Sequence, residues 1–327
     1  MNNKNELHHR AAVIVAEPAG LGRAAEMLHQ TELHGIPGFE THLIPAAEID
    51  ALRDGGYDIV HLAAAELAAA STLRLAAALG LPVIADAQAA GRHAHLRDCT
   101  LVLSPSRARD RALLELGLER ERIARWEPGI DRERFGPAHY SATALPHDSF
   151  NVLCTDPLDD DPAGRRLLQK AFDAAADRTP QLRLITADGV EDEVIPRLYA
   201  SADLFVSVAR DDGFGHTVLE AQTSGLPVLA IEGSGAGELI ESGRSGCLIE
   251  PDADALGAAI RGLARRATLR ERLITGALLA ARERTWERSL LDLSNCWARA
   301  RSASLAAVAP GATGVHAEAA TEVTRAA

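Results

Sequence analysis

Short runs of Val, Ile, Leu and Ala recur along the first half of the chain, each followed by a stretch of mixed polarity. They are AAVIVAE from Ala11, THLIPA from Thr41, DIVHLA from Asp58, LPVIADA from Leu81 and TLVLSPS from Thr100. Apolar runs of this length, rich in branched residues and bounded by polar or turn-forming positions, predict strands buried on both faces. Between the first two, LGRAAEMLHQTELHG places Leu21, Ala24, Ala25 and Leu28 at i, i+3, i+4 and i+7, the spacing of one helical face. Strands alternating with such helices predict an α/β architecture, a parallel sheet covered on both sides.

A sixth run, IARWEPGIDRERF from Ile123, ends in Pro, Gly and Asp and reads as a crossover between domains. The pattern then restarts with FNVLCTD from Phe150 and continues through LRLITAD, LFVSVA, PVLAIEG and GCLIE, which predicts a second doubly wound domain. The expected organisation is a first domain over 11–135, a linker over 136–149, a second domain over 150–301 and a disordered tail over 302–327. The linker, GPAHYSATALPHDS, is polar with Pro and Gly at its ends, and the tail is rich in Ala, Thr and Gly. The helix from Ala253 turns Leu256, Ile260 and Leu263 inward and leaves Arg261, Arg265 and Arg266 outward. In the final helix, Trp286, Leu290, Leu293 and Trp297 share a face, expected to pack as core across the interdomain region.

Composition narrows the class. At 327 residues, 47% hydrophobic and 24% charged, the chain has the make-up of a globular protein of one large or two ordinary domains. A formal charge of −12 argues against nucleic acid as a partner, because phosphate contact needs a basic surface. Cys99, Cys154, Cys247 and Cys296 lie far apart, without the paired spacing of zinc or dithiol chemistry, so they are expected as core residues in a reducing compartment. The polar start MNNKNELHHR, with His8 and His9 as solvated tail, and the lack of any bilayer-length apolar run point to a cytoplasmic location. The arginine face after Ala253 has two readings, a solvated helix surface or weak peripheral contact with an anionic membrane.

The chemistry concentrates in RDDGFGHTVLEAQTSGLPVLA, Arg210 to Ala230. It follows the strand-like LFVSVA, so Asp211 to Gly215 fall at a strand's carboxyl end, where open α/β sheets bind ligands. Gly213 and Gly215 let backbone approach a ligand closely, and a helix opening near His216 presents unpaired N–H groups to a phosphate. Glu220 lies about one helical turn farther on, where its carboxylate could accept vicinal ribose hydroxyls. The bland alternative is a helix-start loop with Asp212 near the dipole and Glu220 solvated. Gly233, Gly235 and Gly237 in EGSGAGELI form a second glycine-rich turn, as readily explained by tight-turn geometry as by ligand contact.

This segment resembles the signature of the retaining GT-B glycosyltransferases of family 4, the group 1 glycosyltransferases, in which two Glu residues stand with seven positions between them. Asp212 and Glu220 occupy those places. The resemblance extends through Ser224 to Leu256 and back through LYASADLFVS, Leu198 to Ser207. It implies a GT-B fold of two facing Rossmann-like domains and a retaining hexosyltransferase taking a hexose from a UDP- or GDP-sugar to a hydroxyl acceptor. That acceptor would be a glycan, a lipid-linked sugar or a small molecule. No cofactor or metal is implied beyond the nucleotide-sugar donor substrate. Residue by residue, the carry-over gives Asp212 contact with the donor sugar as the catalytic carboxylate. Gly213, Phe214, Gly215, His216 and Thr217 take the diphosphate, and Glu220 takes the ribose. Arg210 flanks the same loop. GLGR at Gly20 to Arg23 resembles the family's glycine-rich phosphate loop, which gives Gly20 and Gly22 a donor-side role.

The chain also departs from the family. Relatives place a Gly-Arg-Leu segment and, about five residues later, a Lys after the first strand of the second domain, where the two cations clamp the diphosphate. Here NVLCTDPLDDDPAG puts Pro157 at the arginine's place and Pro162 near that of the lysine. Arg210, Arg165, Arg166 and Lys170 are the nearest cations in sequence. Asp159, Asp160 and Asp161 admit three readings, a solvated loop, a disabled donor site, or a divalent-ion site. Gln88 stands where relatives carry an acceptor-side His, with His93 and His95 nearby, and His61 is a further candidate beside its structural reading. A GT-B binding or regulatory protein without turnover is therefore carried beside the transferase, with a sugar-nucleotide epimerase as a weaker third.

Overall fold

The computed structural model describes residues 9–15, 24–63, 69–87, 94–137, 145–146, 148–159, 161–187, 190–210 and 213–308. Every apolar run singled out above forms a strand. The first six are β1 (His9–Val15), β2 (Phe39–Pro45), β3 (Ile59–Ala63), β4 (Val83–Asp86), β5 (Leu101–Ser104) and β6 (Ile123–Arg125), in the order β2-β1-β3-β4-β5-β6. Helices α1 (Ala24–His34), α2 (Ala69–Leu79) and α3 (Arg107–Glu115) connect them, and the described pairings of β1 with β2 and β3, and of β3 with β4, are parallel.

The second sheet holds β7 (Phe150–Cys154), β8 (Leu182–Thr186), β9 (Leu204–Ser207), β10 (Val228–Ile231) and β11 (Cys247–Ile249). Its order is β11-β10-β9-β7-β8, with parallel pairing throughout. Leu153, Phe205 and Val228 pack on one face, while their neighbours Val152, Leu204 and Leu229 pack on the other. That period of two is why these strands read as unbroken apolar runs: both faces are covered. Helices α4 (Pro162–Ala176), α5 (Ile195–Ser201), α6 (His216–Thr223), α7 (Ala253–Arg265) and α8 (Ala267–Arg282) supply the cover. α4 and α7 pack closely because position 257 is glycine; a Cβ there would lie 2.7 Å from the Ala171 carbonyl oxygen.

Two of the three outward arginines, Arg261 and Arg265, are engaged with protein. Arg261 Nη1 donates to Ala174 O (3.2 Å) and Arg265 Nη2 to Arg178 O (2.9 Å), at the C-terminal end of α4 where helix carbonyls lack internal partners. Among the described residues no helix is long and apolar enough to cross a membrane.

Compact units follow contacts rather than chain order. One comprises residues 1–86, 95–102 and 293–327; the larger comprises 87–94 and 103–292. The last helix, α9 (Trp286–Val308), begins in the larger unit, where Trp126 Nε1 donates to Ser289 O at 2.9 Å. It continues in the smaller, where Trp297 is fully buried edge-on to Phe39 and His61. Its aromatics are core, as their spacing predicts. The helix also runs through 302–308, inside the segment expected to be tail, because SASLAAV continues the chain with helix-tolerant Ala, Leu and Ser. Residues 309–327, and within the expected linker 138–144 and 147, lie outside the described residues.

Candidate functional site

The order of the second sheet changes direction at its first strand: β8 lies to one side of β7, and β9, β10 and β11 follow on the other. Connections leaving β7 and β9 therefore diverge, and their carboxyl ends form the crevice in which open α/β sheets bind ligands. Both connections carry residues of the candidate site. After β9 the chain passes through Arg210, which is exposed, and Gly213, Phe214 and Gly215 into α6. Gly213 and Gly215 have φ of 63° and 92°. At Gly215 a Cβ would also meet Ala236 Cα at 2.6 Å, so both backbone conformation and close packing demand glycine. α6 starts here, and the N–H groups in the first turn of a helix have no acceptor within the helix itself, an arrangement that favours an anion.

Glu220 is the decisive residue. It lies in α6, it is 1% exposed, and its Oε2 accepts the Tyr199 hydroxyl at 2.9 Å. Tyr199 Oη is also 3.2 Å from the Thr217 carbonyl oxygen and 2.5 Å from Thr155 Oγ1. A buried, hydrogen-bonded carboxylate at this depth excludes the reading of Glu220 as a solvated surface group. The Phe214 side chain is 1% exposed and belongs to the core, so ligand contact within the turn falls to its backbone. His216 packs its ring at 5.0 Å from that of Phe214.

Asp156, which the sequence did not single out, completes the crevice. It follows β7, and its Oδ2 accepts from Val208 N (2.7 Å), Ala209 N (2.9 Å) and Ser207 Oγ (3.0 Å), while Oδ1 accepts from Thr217 Oγ1 (2.9 Å). Burial pushes its carboxyl above the ordinary aspartate range; the backbone and hydroxyl hydrogen bonds pull the other way. Tyr199 and Asp156 escaped sequence reading because each meets its partners across a parallel crossover.

The acidic stretch resolves into separate roles. Asp161 caps α4, its Oδ1 accepting from Gly164 N at 2.8 Å, and Asp159 is exposed and pairs with Arg165 Nη2 at 2.6 Å. Asp160 lies outside the described residues. Arg165 is thus engaged with its own loop, and Arg166 and Lys170 are exposed on α4. Among the described residues no cluster of His, Cys, Asp and Glu could hold a metal ion. Asp212, Gly20, Gly22, Gln88 and His93 also lie outside the described residues. His61 is fully buried in β3, with Nε2 2.9 Å from Asp86 Oδ1, while its Nδ1 meets no hydrogen-bond partner among the described residues.

Beside the Phe214 turn, within the larger unit, lies a cavity of about 420 Å³ lined by Arg107, Arg125, Glu127, Gly235, Gly237, Glu238 and Arg284 among others. Glu238 caps α3, its two oxygens accepting from Arg107 N (2.9 Å) and Ala108 N (3.0 Å). The glycine-rich turn leading to it is held by Ser234, whose hydroxyl donates to Ile231 O and accepts from Gly237 N. Gly235 and Gly237 thus serve a local turn and also border the cavity, whereas Gly233 is exposed.

With this geometry in view, residues 167–278 match the family model described as Glycosyl transferases group 1. Over that stretch the chain is similar to the group 1 glycosyltransferases. It is 28% identical over 304 residues to a GDP-mannose-dependent alpha-mannosyltransferase of Mycobacterium tuberculosis, covering 74% of this chain and 75% of the relative. It is 31% identical over 132 residues to a D-inositol 3-phosphate glycosyltransferase of Nocardioides, covering 40% of this chain and 28% of the relative. A crystal structure of a glycosyltransferase from Rickettsia africae superposes with a TM-score of 0.72 over 89% of this chain and 98% of that one, at 15% identity. The fold is GT-B, with two Rossmann-like sheets, and the region matched by the family model spans α4 to α8, which includes Tyr199, the Phe214 turn and Glu220.

Proposed function

We propose that this protein is a group 1 glycosyltransferase, a retaining hexosyltransferase that moves a hexose from a UDP- or GDP-sugar to a hydroxyl acceptor. The observation that carries the reading is Glu220, a buried carboxylate in α6, which follows a turn where Gly213 and Gly215 take positive φ at the switch point of the second sheet. In this reading the ribose hydroxyls donate to Glu220, whose carboxylate also takes the Tyr199 hydroxyl. The leaving diphosphate meets the N–H groups at the start of α6, which stabilise the charge that develops as the glycosidic bond breaks. Asp212 is assigned to the sugar on its spacing from Glu220, and the donor's own phosphate assists removal of the acceptor proton. The GDP-mannose dependence of the M. tuberculosis relative makes GDP-mannose the first donor to try.

The test is a panel of UDP- and GDP-sugars, read by nucleotide release with and without hydroxyl acceptors, with the anomeric configuration of any product determined by NMR. Release of GDP or UDP with retained configuration is expected. Inversion would remove the retaining assignment, and a folded protein that neither binds nor consumes any donor in the panel would overturn the reading.

A further inference from the structure

We propose that Asp156 is a positioning residue for the nucleotide loop, a carboxylate that crosses the switch point of the second sheet and pins both ends of the segment 208–217. The inference rests on the nucleotide-sugar reading above. Val208 and Ala209 are the first two residues after β9, and Thr217 is the second residue of α6. Asp156 takes the N–H groups of the former on one oxygen and the hydroxyl of the latter on the other. The described residues between these anchors, Arg210 and the Gly213–Phe214–Gly215 turn among them, are thus flanked on both sides by contacts of one side chain.

Three features set this arrangement apart from ordinary loop packing. All four partners of Asp156 are donors, two amides and two hydroxyls, so the site is built for a carboxylate; an amide in its place would set an NH2 group against donors. The residue is buried, at 5% exposure, so its influence on a ligand passes through the loop it holds. The Thr217 hydroxyl has a single hydrogen and directs it to Asp156, which leaves the phosphate to the backbone N–H groups of the turn. Holding amides at a preset position is what anion recognition needs, since small misplacements of a binding loop weaken binding and slow turnover. The loop after β7 therefore acts from behind the ligand, through the segment that receives it.

The experiment compares the full-length protein with Asp156→Asn, Ser207→Ala, the double variant and Asp159→Asn, by calorimetric titration of UDP and GDP and by hydrogen exchange. Asp156→Asn should weaken binding of the preferred nucleotide about tenfold, the scale of one charge-assisted hydrogen bond. In turnover it should raise the donor KM while the acceptor KM stays unchanged. Ser207→Ala should lose less in the same direction, and the double variant should be no weaker than Asp156→Asn. Asp159→Asn, on the same acidic stretch but exposed, should match the wild type. Without any ligand, amide protection within 208–217 should fall in Asp156→Asn while that of β1 and β3 is kept. A folded Asp156→Asn with unchanged nucleotide affinity and an equally protected segment would overturn the proposal. If it does not fold, wild-type affinity and protection in Ser207→Ala would do the same. Absence of nucleotide binding in the wild type would instead count against the function, and the exchange comparison would still decide whether Asp156 pins the loop.

Discussion

At Glu220 charge and burial work together. The residue is 1% exposed and is held by the Tyr199 hydroxyl, so Glu220→Gln keeps the shape of the side chain and removes the charge that would strengthen the proposed hydrogen bonds to ribose. Nucleotide affinity should fall at least tenfold, equivalent to about 1.5 kcal/mol or more, with the folded state retained; unchanged affinity by titration calorimetry would place the ribose elsewhere. At Asp156 the consequence is a pH dependence. Burial raises its carboxyl above the ordinary range, so the folded protein holds that proton more tightly than the unfolded chain does. The associated stability is fully present below the unfolded value and is lost as pH rises through the folded one. The difference in urea-unfolding free energy between wild type and Asp156→Asn should therefore decline as pH rises across that window. A flat difference would show that the four donors offset burial in full.

Among the elements, α4 shows how a charged stretch is dispersed by secondary structure. Asp161 accepts from Gly164 N as the N-cap, with Pro162 opening the helix, while Asp159 turns to solvent and Arg165. Asp161→Ala should cost about 1 kcal/mol of stability in urea titration, the usual worth of such a cap, with no change in nucleotide affinity. Tighter nucleotide binding in that variant would mean that the carboxylate repels the diphosphate after all. In α7 the same principle applies to the arginines: Arg261 and Arg265 reach carbonyl oxygens at the end of α4, so a basic helix face serves the fold.

For the whole molecule, a ligand that binds only the folded state stabilises it by mass action, about 2.7 kcal/mol at a hundredfold excess over Kd. GDP or UDP should raise the midpoint of thermal unfolding. Because the contact is with a diphosphate, the shift should shrink at high salt, and Glu220→Gln should lose most of it. Equal stabilisation by inorganic phosphate alone would show that the nucleoside contributes nothing and would count against the ribose contact of Glu220.

Strand content, the restart of the pattern at Phe150 and the spacing of Asp212 and Glu220 are all legible in the sequence. They are local patterns, readable without knowing which elements pack together. The twin role of Gly215, positive φ and contact with Ala236, is half legible: the turn is local, the neighbour is not. What only the tertiary structure decides is which side chains meet across parallel crossovers. Asp156 finds its amides 52 and 53 residues away and Thr217 61 residues away, and Tyr199 finds Glu220 21 residues on. A parallel sheet separates neighbouring strands by whole helices, so no spacing rule in the sequence connects such partners. The burial of His61 against Trp297, 236 positions later in the numbering and on the last helix, has the same cause. The sequence by itself determined the elements and the residue types offered to the ligand; the order of the strands decided which of them act together.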